Sequence, residues 1–244
     1  PRKYLIDEKN CKRLVQGGKI CGICEKLCTQ GAINFDDKEE LISFNVDTII
    51  TATGYELFDP EKKPVYGFGK YSNVLTALQL ERIIATGSSG PPLKPIGKRI
   101  AFIQCVGSRD EQIDRENCSR ICCMYATKLA QLLKRLDPSR DIYIFYTDLR
   151  AYGKGFEEYY KRAQNEGIKF IRGRVAEIRE DPQSKKLQLL SEDTLSRKMI
   201  EGEFDLVVLS TGIVPSSGSE KIADILKLAR SADGFLQEAH PKFR

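Results

Sequence analysis

Eight cysteines dominate the chemistry available to this chain, and they fall into two quartets: Cys11, Cys21, Cys24 and Cys28, then Cys105, Cys118, Cys122 and Cys123. Four thiolates are the ligand set of a tetrahedral metal or of a cubane iron–sulfur cluster, so the count provides for two such centres with no thiol left over. A disulfide framework fits poorly, because 244 residues can bury a core without covalent staples. Structural zinc favours paired CxxC knuckles, and only Cys21 and Cys24 form one. The second quartet, spaced C-x12-C-x3-C-C, places Cys122 and Cys123 side by side, where a regular backbone sends their side chains apart. A cluster with four corner irons accommodates that splay more easily than a single ion, so two 4Fe-4S clusters are the expectation and zinc is the competing use.

The elements that must position these thiols read as an α/β pattern. Leu41 to Asn45 alternates polar and apolar residues, and Thr48 to Thr51 reads as a buried strand ending at Ala52-Thr53-Gly54. The proline- and glycine-rich stretch 87–97 is a linker. Beyond it come a strand over Arg99 to Cys105, a helix over Ser119 to Lys134, a strand over Asp141 to Tyr146, a helix over Phe156 to Glu166 and a strand over Ile168 to Ile171. Short strands near Arg174 to Ile178, Leu187 to Leu190 and Asp205 to Leu209 follow. The order implies a Rossmann-like, doubly wound parallel sheet with right-handed crossovers, carrying a β-meander. The chain divides into an iron–sulfur segment over 1–38, a portion over 39–86, the linker, a Rossmann-like module over 98–235 and a tail over 236–244. A resemblance to two-domain flavoproteins, carried by Thr53-Gly54 and Thr211-Gly212, implies that 39–86 is part of an FAD-binding domain, 98–235 nicotinamide-domain-like and 236–244 a return toward the FAD domain.

Composition bounds the function. With 30% charged and 41% hydrophobic residues, no apolar run of membrane length and no signal peptide ahead of Cys11, the chain reads as soluble, and reduced thiols and clusters point to the cytoplasm. The formal charge of +5 invites a nucleic-acid partner, but two cubanes of about −2 each leave roughly +1, so none is expected. The chain opens on Pro1 and stops at Phe243-Arg244, and so reads as a piece of a longer protein. Gly67-Phe68-Gly69 follows a proline-containing turn rather than a strand and reads as a plain loop.

Two internal patterns sharpen the picture. Asp47-Thr-Ile-Ile-Thr-Ala-Thr-Gly54 and Asp205-Leu-Val-Val-Leu-Ser-Thr-Gly212 share a hydrophobic run stopped by a small-residue turn, the kind of turn that lets backbone approach a ligand. In this the chain resembles the two-domain flavoprotein disulfide reductases, whose FAD and nicotinamide domains each carry such a strand. A nicotinamide domain opens strand-GxGxxG-helix, whereas this chain has Ile103-Gln-Cys-Val-Gly-Ser-Arg109. A cluster is expected where the dinucleotide would sit. The run Cys21-x2-Cys24-x3-Cys28 with Gly31-Ala-Ile33 resembles half of a bacterial ferredoxin, in which a short strand follows the cluster turn. It departs from that pattern in having Thr29 where proline is usual and nine residues between Cys11 and Cys21, with Gly17 and Gly18 giving that loop its reach.

The segments Phe102-Ile-Gln-Cys-Val-Gly-Ser-Arg-Asp110, Cys118-Ser-Arg-Ile-Cys-Cys-Met-Tyr-Ala126, Tyr143-Ile-Phe-Tyr146 and Gly153-Lys-Gly155 resemble the A-type component of the heterodisulfide reductase family, over nearly the whole chain. The resemblance implies an iron–sulfur flavoprotein oxidoreductase with a thioredoxin-reductase-like core. It implies electron transfer, often by flavin-based bifurcation, between a hydrogenase or dehydrogenase donor and B- and C-type subunits that reduce a disulfide such as CoM-S-S-CoB in methanogenesis. It implies that Cys105, Cys118, Cys122 and Cys123 hold a flavin-proximal cluster and that Cys11, Cys21, Cys24 and Cys28 hold a relay cluster. Thr53 and Gly54 would line the FAD site of the longer protein, Lys128 would stand near the isoalloxazine, and Glu81, in Leu78-x-x-Glu-Arg82, would lie on the flavin side. His240 precedes Pro241 in the return strand and receives no catalytic role. The alternatives are a zinc-stabilised, non-redox interaction module and an NAD(P)H-dependent flavoprotein oxidoreductase.

Overall fold

The computed structural model describes residues 6–17, 21–36, 41–87 and 96–238. Most of the 87–97 linker and His240 lie outside them. The chain packs as two units, 1–51 and 52–244.

In the first unit the helices are short. Cys11 is the N-cap of α1 (Lys12–Val15), and Cys28 closes α2 (Ile23–Leu27). An ion pair between Arg13 and Glu25 ties the two helices together, and the Arg13 guanidinium lies 4.1 Å from the Phe35 ring centroid. No strand forms over 31–34 or over 48–51, although both were expected. A strand requires a neighbour to exchange N–H and C=O groups with, and no described strand runs beside these segments. Leu41, Ile42, Phe44, Val46, Ile49 and Ile50 are instead at least 60% exposed.

The second unit is built on a five-stranded sheet in which every neighbouring pair is parallel. β1 (Tyr55–Leu57) leads in, and a loop with Gly67 and Gly69 in the left-handed region carries the chain to β2 (Val74–Thr76). Thr76 and Gln79 then form a reciprocal capping box that starts α3 (Ala77–Thr86). β3 (Arg99–Val106), α4 (Cys122–Leu136), β4 (Asp141–Tyr146), α5 (Phe156–Asn165) and β5 (Lys169–Arg172) follow as two successive strand–helix–strand crossovers. An antiparallel meander, β6 (Val175–Glu180), β7 (Leu187–Asp193) and β8 (Lys198–Phe204), precedes β9 (Leu206–Thr211). β9 returns to the parallel sheet, whose order is β2-β9-β3-β4-β5. β10 (Ile213–Pro215) and α6 (Ser219–Leu226) complete the described elements.

Two expectations change. The strand near Asp205 to Leu209 is not part of the meander but pairs with both β2 and β3, and the meander's third strand is Lys198–Phe204. β8 is hard to read because Lys198, Glu201 and Glu203 face out and only Ile200, Gly202 and Phe204 turn inward. β2 and α3, expected within an FAD-binding portion over 39–86, pair and pack with the five-stranded sheet. As expected of a parallel sheet carrying a meander, α3, α4 and α5 share one apolar core on one face of the sheet, including Leu80, Ala126, Leu129, Leu133 and Ala163, while the meander covers the other face through Val175, Ile178, Leu187, Leu189 and Phe204. The result is a helix–sheet–meander arrangement, with two buried apolar layers driving its assembly.

Candidate metal centre

β3 is buried along nearly its whole length and delivers Cys105 to the carboxyl end of the sheet, the position at which open α/β sheets bind ligands. The loop after it turns sharply. Cys105, Arg109, Asp114 and Arg120 all adopt positive φ, at 59°, 54°, 53° and 64°, which is rare for residues with a side chain. Such strain persists only where surrounding contacts over-determine the backbone. Those contacts are present. Arg109 N–H donates to Asn117 O at 3.2 Å, the Asp110 and Arg115 backbones bond to each other in both directions, and Arg174 Nη1 donates to Arg109 O at 3.1 Å. The Asp110 carboxylate is buried and accepts from Lys63 Nζ at 2.6 Å and Arg174 Nη2 at 3.0 Å. Desolvation pushes its pKa up, but the two cations outweigh that and hold the carboxyl below its ordinary range.

Two glycines permit the close packing around this loop. A Cβ on Gly107 would stand 2.0 Å from the Phe58 ring, and its φ of 76° already excludes most side chains. A Cβ on Gly212, just after β9, would lie 2.3 Å from Ser108 Oγ and 2.7 Å from Ser119 Oγ. Those two hydroxyls bond to each other at 2.5 Å, and Ser119 Oγ accepts the Ile213 N–H at 3.0 Å. The Thr211-Gly212 turn is therefore clamped to the cysteine loop.

Cys118 stands in this loop, half-buried, and Cys122 and Cys123 open α4, both buried. Successive residues of a helix diverge by about 100°, so the two thiols leave the backbone in different directions. Cys122 Sγ lies 3.6 Å from Thr211 O, at the end of β9, and Cys123 Sγ 3.8 Å from Asp148 O, just beyond β4. The four thiols are near enough to oppose one another's ionisation. Burial, followed by the charge of Cys123, pushes Cys105 up to about 11, and burial chiefly takes Cys122 up to about 12. Burial likewise raises Cys123. Left as thiols, three of these groups are inert near neutral pH; as thiolates they require a polycationic centre among them. Beside them Arg109 donates from Nη2 to Asp148 Oδ2 at 2.8 Å, while its buried Nη1 has no partner. An orphaned cationic donor next to four neighbouring thiols fits an anionic metal–sulfur group. A cleft of about 1160 Å³, bordered by Gly107, Ser108, Cys118, Leu149, Tyr152 and Ile213, opens on the same carboxyl end of the sheet.

The first quartet lies on consecutive turns, with Cys24 exposed and Cys11, Cys21 and Cys28 half-buried. The Ala32 N–H donates to Cys28 Sγ at 3.3 Å, and it and the N–H groups of Gln30, Gly31 and Ile33 lower this thiol's pKa. Backbone donors converging on one sulfur favour a thiolate ligand. Gly31, at φ +59°, allows the chain to fold back over it. All eight cysteines are unpaired thiols, and among the described residues no three His, Cys, Asp or Glu side chains converge as they would around a single ion.

Lys128 and Glu81 meet: Lys128 Nζ and Glu81 Oε1 are 2.7 Å apart, linking α4 to α3 on an exposed surface. Thr53 is half-buried and Gly54, at φ +70°, exposed, immediately before β1. β1 pairs antiparallel with β10, and Phe58 N–H donates to Gly212 O at 2.9 Å. The two Thr-Gly turns thus lead into the two strands of one ribbon, although only the second ends a strand. Arg109, Asp148, Ser108, Ser119 and Tyr125, whose hydroxyl donates to Thr211 O at 2.8 Å, received no role in the sequence analysis. Only Ser108 and Ser119, flanking cysteines on a loop, carried a local signal; Asp148 is 39 residues from its partner.

No family model matches the chain. Among curated proteins it is 52% identical over 231 residues to the A component of the H(2):CoB-CoM heterodisulfide,ferredoxin reductase of Methanothermobacter thermautotrophicus, covering 92% of this chain and 35% of that one. It is 51% identical over 249 positions to the iron-sulfur A component of the CoB–CoM heterodisulfide reductase of Methanocaldococcus jannaschii, covering 99% and 37%. It is 43% identical over 250 positions to the A component of the ferredoxin:CoB-CoM heterodisulfide reductase of Methanosarcina mazei, covering 100% and 30%. A solved structure of T. acidophilum thioredoxin reductase is similar at TM-score 0.42 and 15% identity, over 75% of this chain and 49% of that one, a likeness too distant to carry weight. Among the described residues no helix is long and apolar enough to cross a membrane. The chain spans about a third of the length of the curated relatives it matches, and over that third it belongs to the family of heterodisulfide reductase A-type subunits.

Proposed function

We propose that the chain is the cluster-bearing electron-transfer portion of an iron–sulfur flavoprotein oxidoreductase of the heterodisulfide reductase type. The observation that carries this reading is the gathering of Cys105, Cys118, Cys122 and Cys123 at the carboxyl end of a Rossmann-like sheet, where a nicotinamide-binding glycine loop would otherwise stand. These four thiolates hold one 4Fe-4S cluster, and Cys11, Cys21, Cys24 and Cys28 hold a second. When bound, such clusters accept and release single electrons.

The chain's own residues prepare the site. Burial of Cys105, Cys122 and Cys123 keeps water from three ligands, while half-buried Cys118 borders the open cleft and leaves one side accessible for electron exchange. The strained loop, fixed through Asp110, Lys63 and Arg174, holds Cys105 and Cys118 before any metal arrives. Thr53 and Gly54 border the FAD of the longer protein, with Lys128 and its partner Glu81 on the flavin side. The FAD of the longer protein would mediate between a hydrogenase- or dehydrogenase-type donor and B- and C-type subunits that reduce a heterodisulfide, with the two cysteine quartets holding the clusters that carry single electrons. The soluble character of the chain and its assembly into an oligomeric complex belong to the same proposal.

Anaerobic purification tests this reading. About eight irons and eight acid-labile sulfides per chain, with broad absorbance in the visible, are expected. A colourless protein with stoichiometric zinc overturns it. Cys123→Ala is expected to remove about half of the iron, because one cubane loses a ligand; full iron content in that variant overturns the assignment of the second quartet.

A further inference from the structure

Arg109, four residues after Cys105, is tied through its side chain to Asp148, whose backbone carbonyl lies 3.8 Å from Cys123 Sγ, so the fold holds its charge near the second quartet. Its backbone is strained at φ 54° yet pinned from both sides, through its N–H on Asn117 O and through Arg174 Nη1 on its carbonyl. Its side chain is anchored by Nη2 on Asp148 Oδ2 at 2.8 Å. Asp148 is in turn shared: Arg172 Nη2 reaches Asp148 Oδ1 at 3.3 Å, while Arg172 Nε donates to Thr147 O at 3.1 Å. Two guanidinium groups on one carboxylate leave a net positive charge, so Asp148 holds Arg109 without cancelling it. A second Arg109 nitrogen, Nη1, is buried and has no hydrogen-bond partner. An unmet buried donor is costly, the more so when charged, and Nη1 is available to an acceptor that binds there. The charge of Arg109 is also felt at Cys105, Cys118 and Cys123.

We infer that Arg109 sets the reduction potential of the group held by Cys105, Cys118, Cys122 and Cys123, by placing a fixed positive charge and a free N–H donor beside its sulfur. The inference rests on the cluster reading above. Each electron added, supplied in the test by dithionite, increases the negative charge at the centre of the four thiolates by one. A fixed neighbouring cation stabilises the reduced form more than the oxidised form and so raises the potential. Arg109 is thus a tuning residue, distinct from the ligands.

The test is a redox titration followed by EPR on the anaerobically purified full chain, with Arg109→Gln and Arg109→Lys. In Arg109→Gln one of the two cluster components is expected to move to lower potential while the other, from the first quartet, stays in place as an internal reference. Arg109→Lys keeps the charge and is expected to stay near the parent value. An unchanged potential in Arg109→Gln, or a Lys variant displaced as far as the Gln variant, overturns the inference. If Arg109→Gln assembles no second cluster while Arg109→Lys does, the charge is needed even for assembly, which supports it; loss from both variants makes the side chain a scaffold and overturns it. Absence of both components from the parent chain would instead sink the cluster reading itself.

Discussion

At the scale of single residues, the chemistry is prepared by charge and desolvation acting in opposite directions. Burial suppresses ionisation of Cys105, Cys122 and Cys123, whereas the backbone donors from Gln30 to Ile33 promote it at Cys28. The metal-free chain should therefore react with iodoacetamide at Cys28 well before Cys105 or Cys122 at about pH 8, read out by peptide mass spectrometry; preferential labelling of Cys122 would contradict this. Asp110 carries the structural counterpart. Its carboxyl is held below the ordinary range in the folded state, so its stabilisation is complete above the unfolded pKa and is lost as pH falls through the lower folded value. Asp110→Asn leaves Lys63 without its buried counter-charge and should cost about 3 kcal/mol at neutral pH. Melting curves of parent and variant should converge in acid, where the parent carboxylate is protonated as well.

At the scale of elements, the site depends on close contact between loops that follow different strands. The cysteine loop after β3 and the Thr211-Gly212 turn after β9 meet through Ser108 and Ser119, with no room for a side chain at Gly212. Gly212→Ala should destabilise the second unit by about 1–3 kcal/mol and lower its iron content, since the added methyl group must displace the loop that carries Cys118. Thermal melting together with iron analysis checks both effects, and an unaltered variant would show that the loop can yield. The same contacts explain why the two Thr-Gly echoes part company. Asp205 to Gly212 is enclosed by β2 and β3 and forms a strand, whereas Asp47 to Gly54 has no described partner and stays irregular.

At the scale of the whole molecule, the chain behaves as two separately packed units, each holding one quartet. A shortened chain of residues 52–244 should melt cooperatively within a few degrees of the corresponding transition of the parent. It should also bind an apolar-surface dye less, because Leu41, Ile42, Phe44, Val46, Ile49 and Ile50 leave with the first unit. A broad, non-cooperative melt of the shortened chain would show that the second unit needs the first.

Much of the fold was legible in local pattern. The apolar run of β3, the helical spacing of Leu129 and Leu132, and the apolar strand Asp141 to Tyr146 announce a parallel sheet, because each buries side chains on a fixed period. The eight cysteines announce two four-thiol sets by count and spacing alone. Tertiary structure decided what spacing cannot encode: that β9 lies between β2 and β3, that β8 completes the meander, and that the 48–51 run finds no sheet. It also decided that Lys128 meets Glu81, and that Arg109 and Asp148, far apart in the chain, place a charge beside Cys105 and Cys118. The physical reason is range. Periodicity and ligand count act within a few residues, whereas strand pairing and electrostatic neighbours depend on which distant segments the folded core brings together.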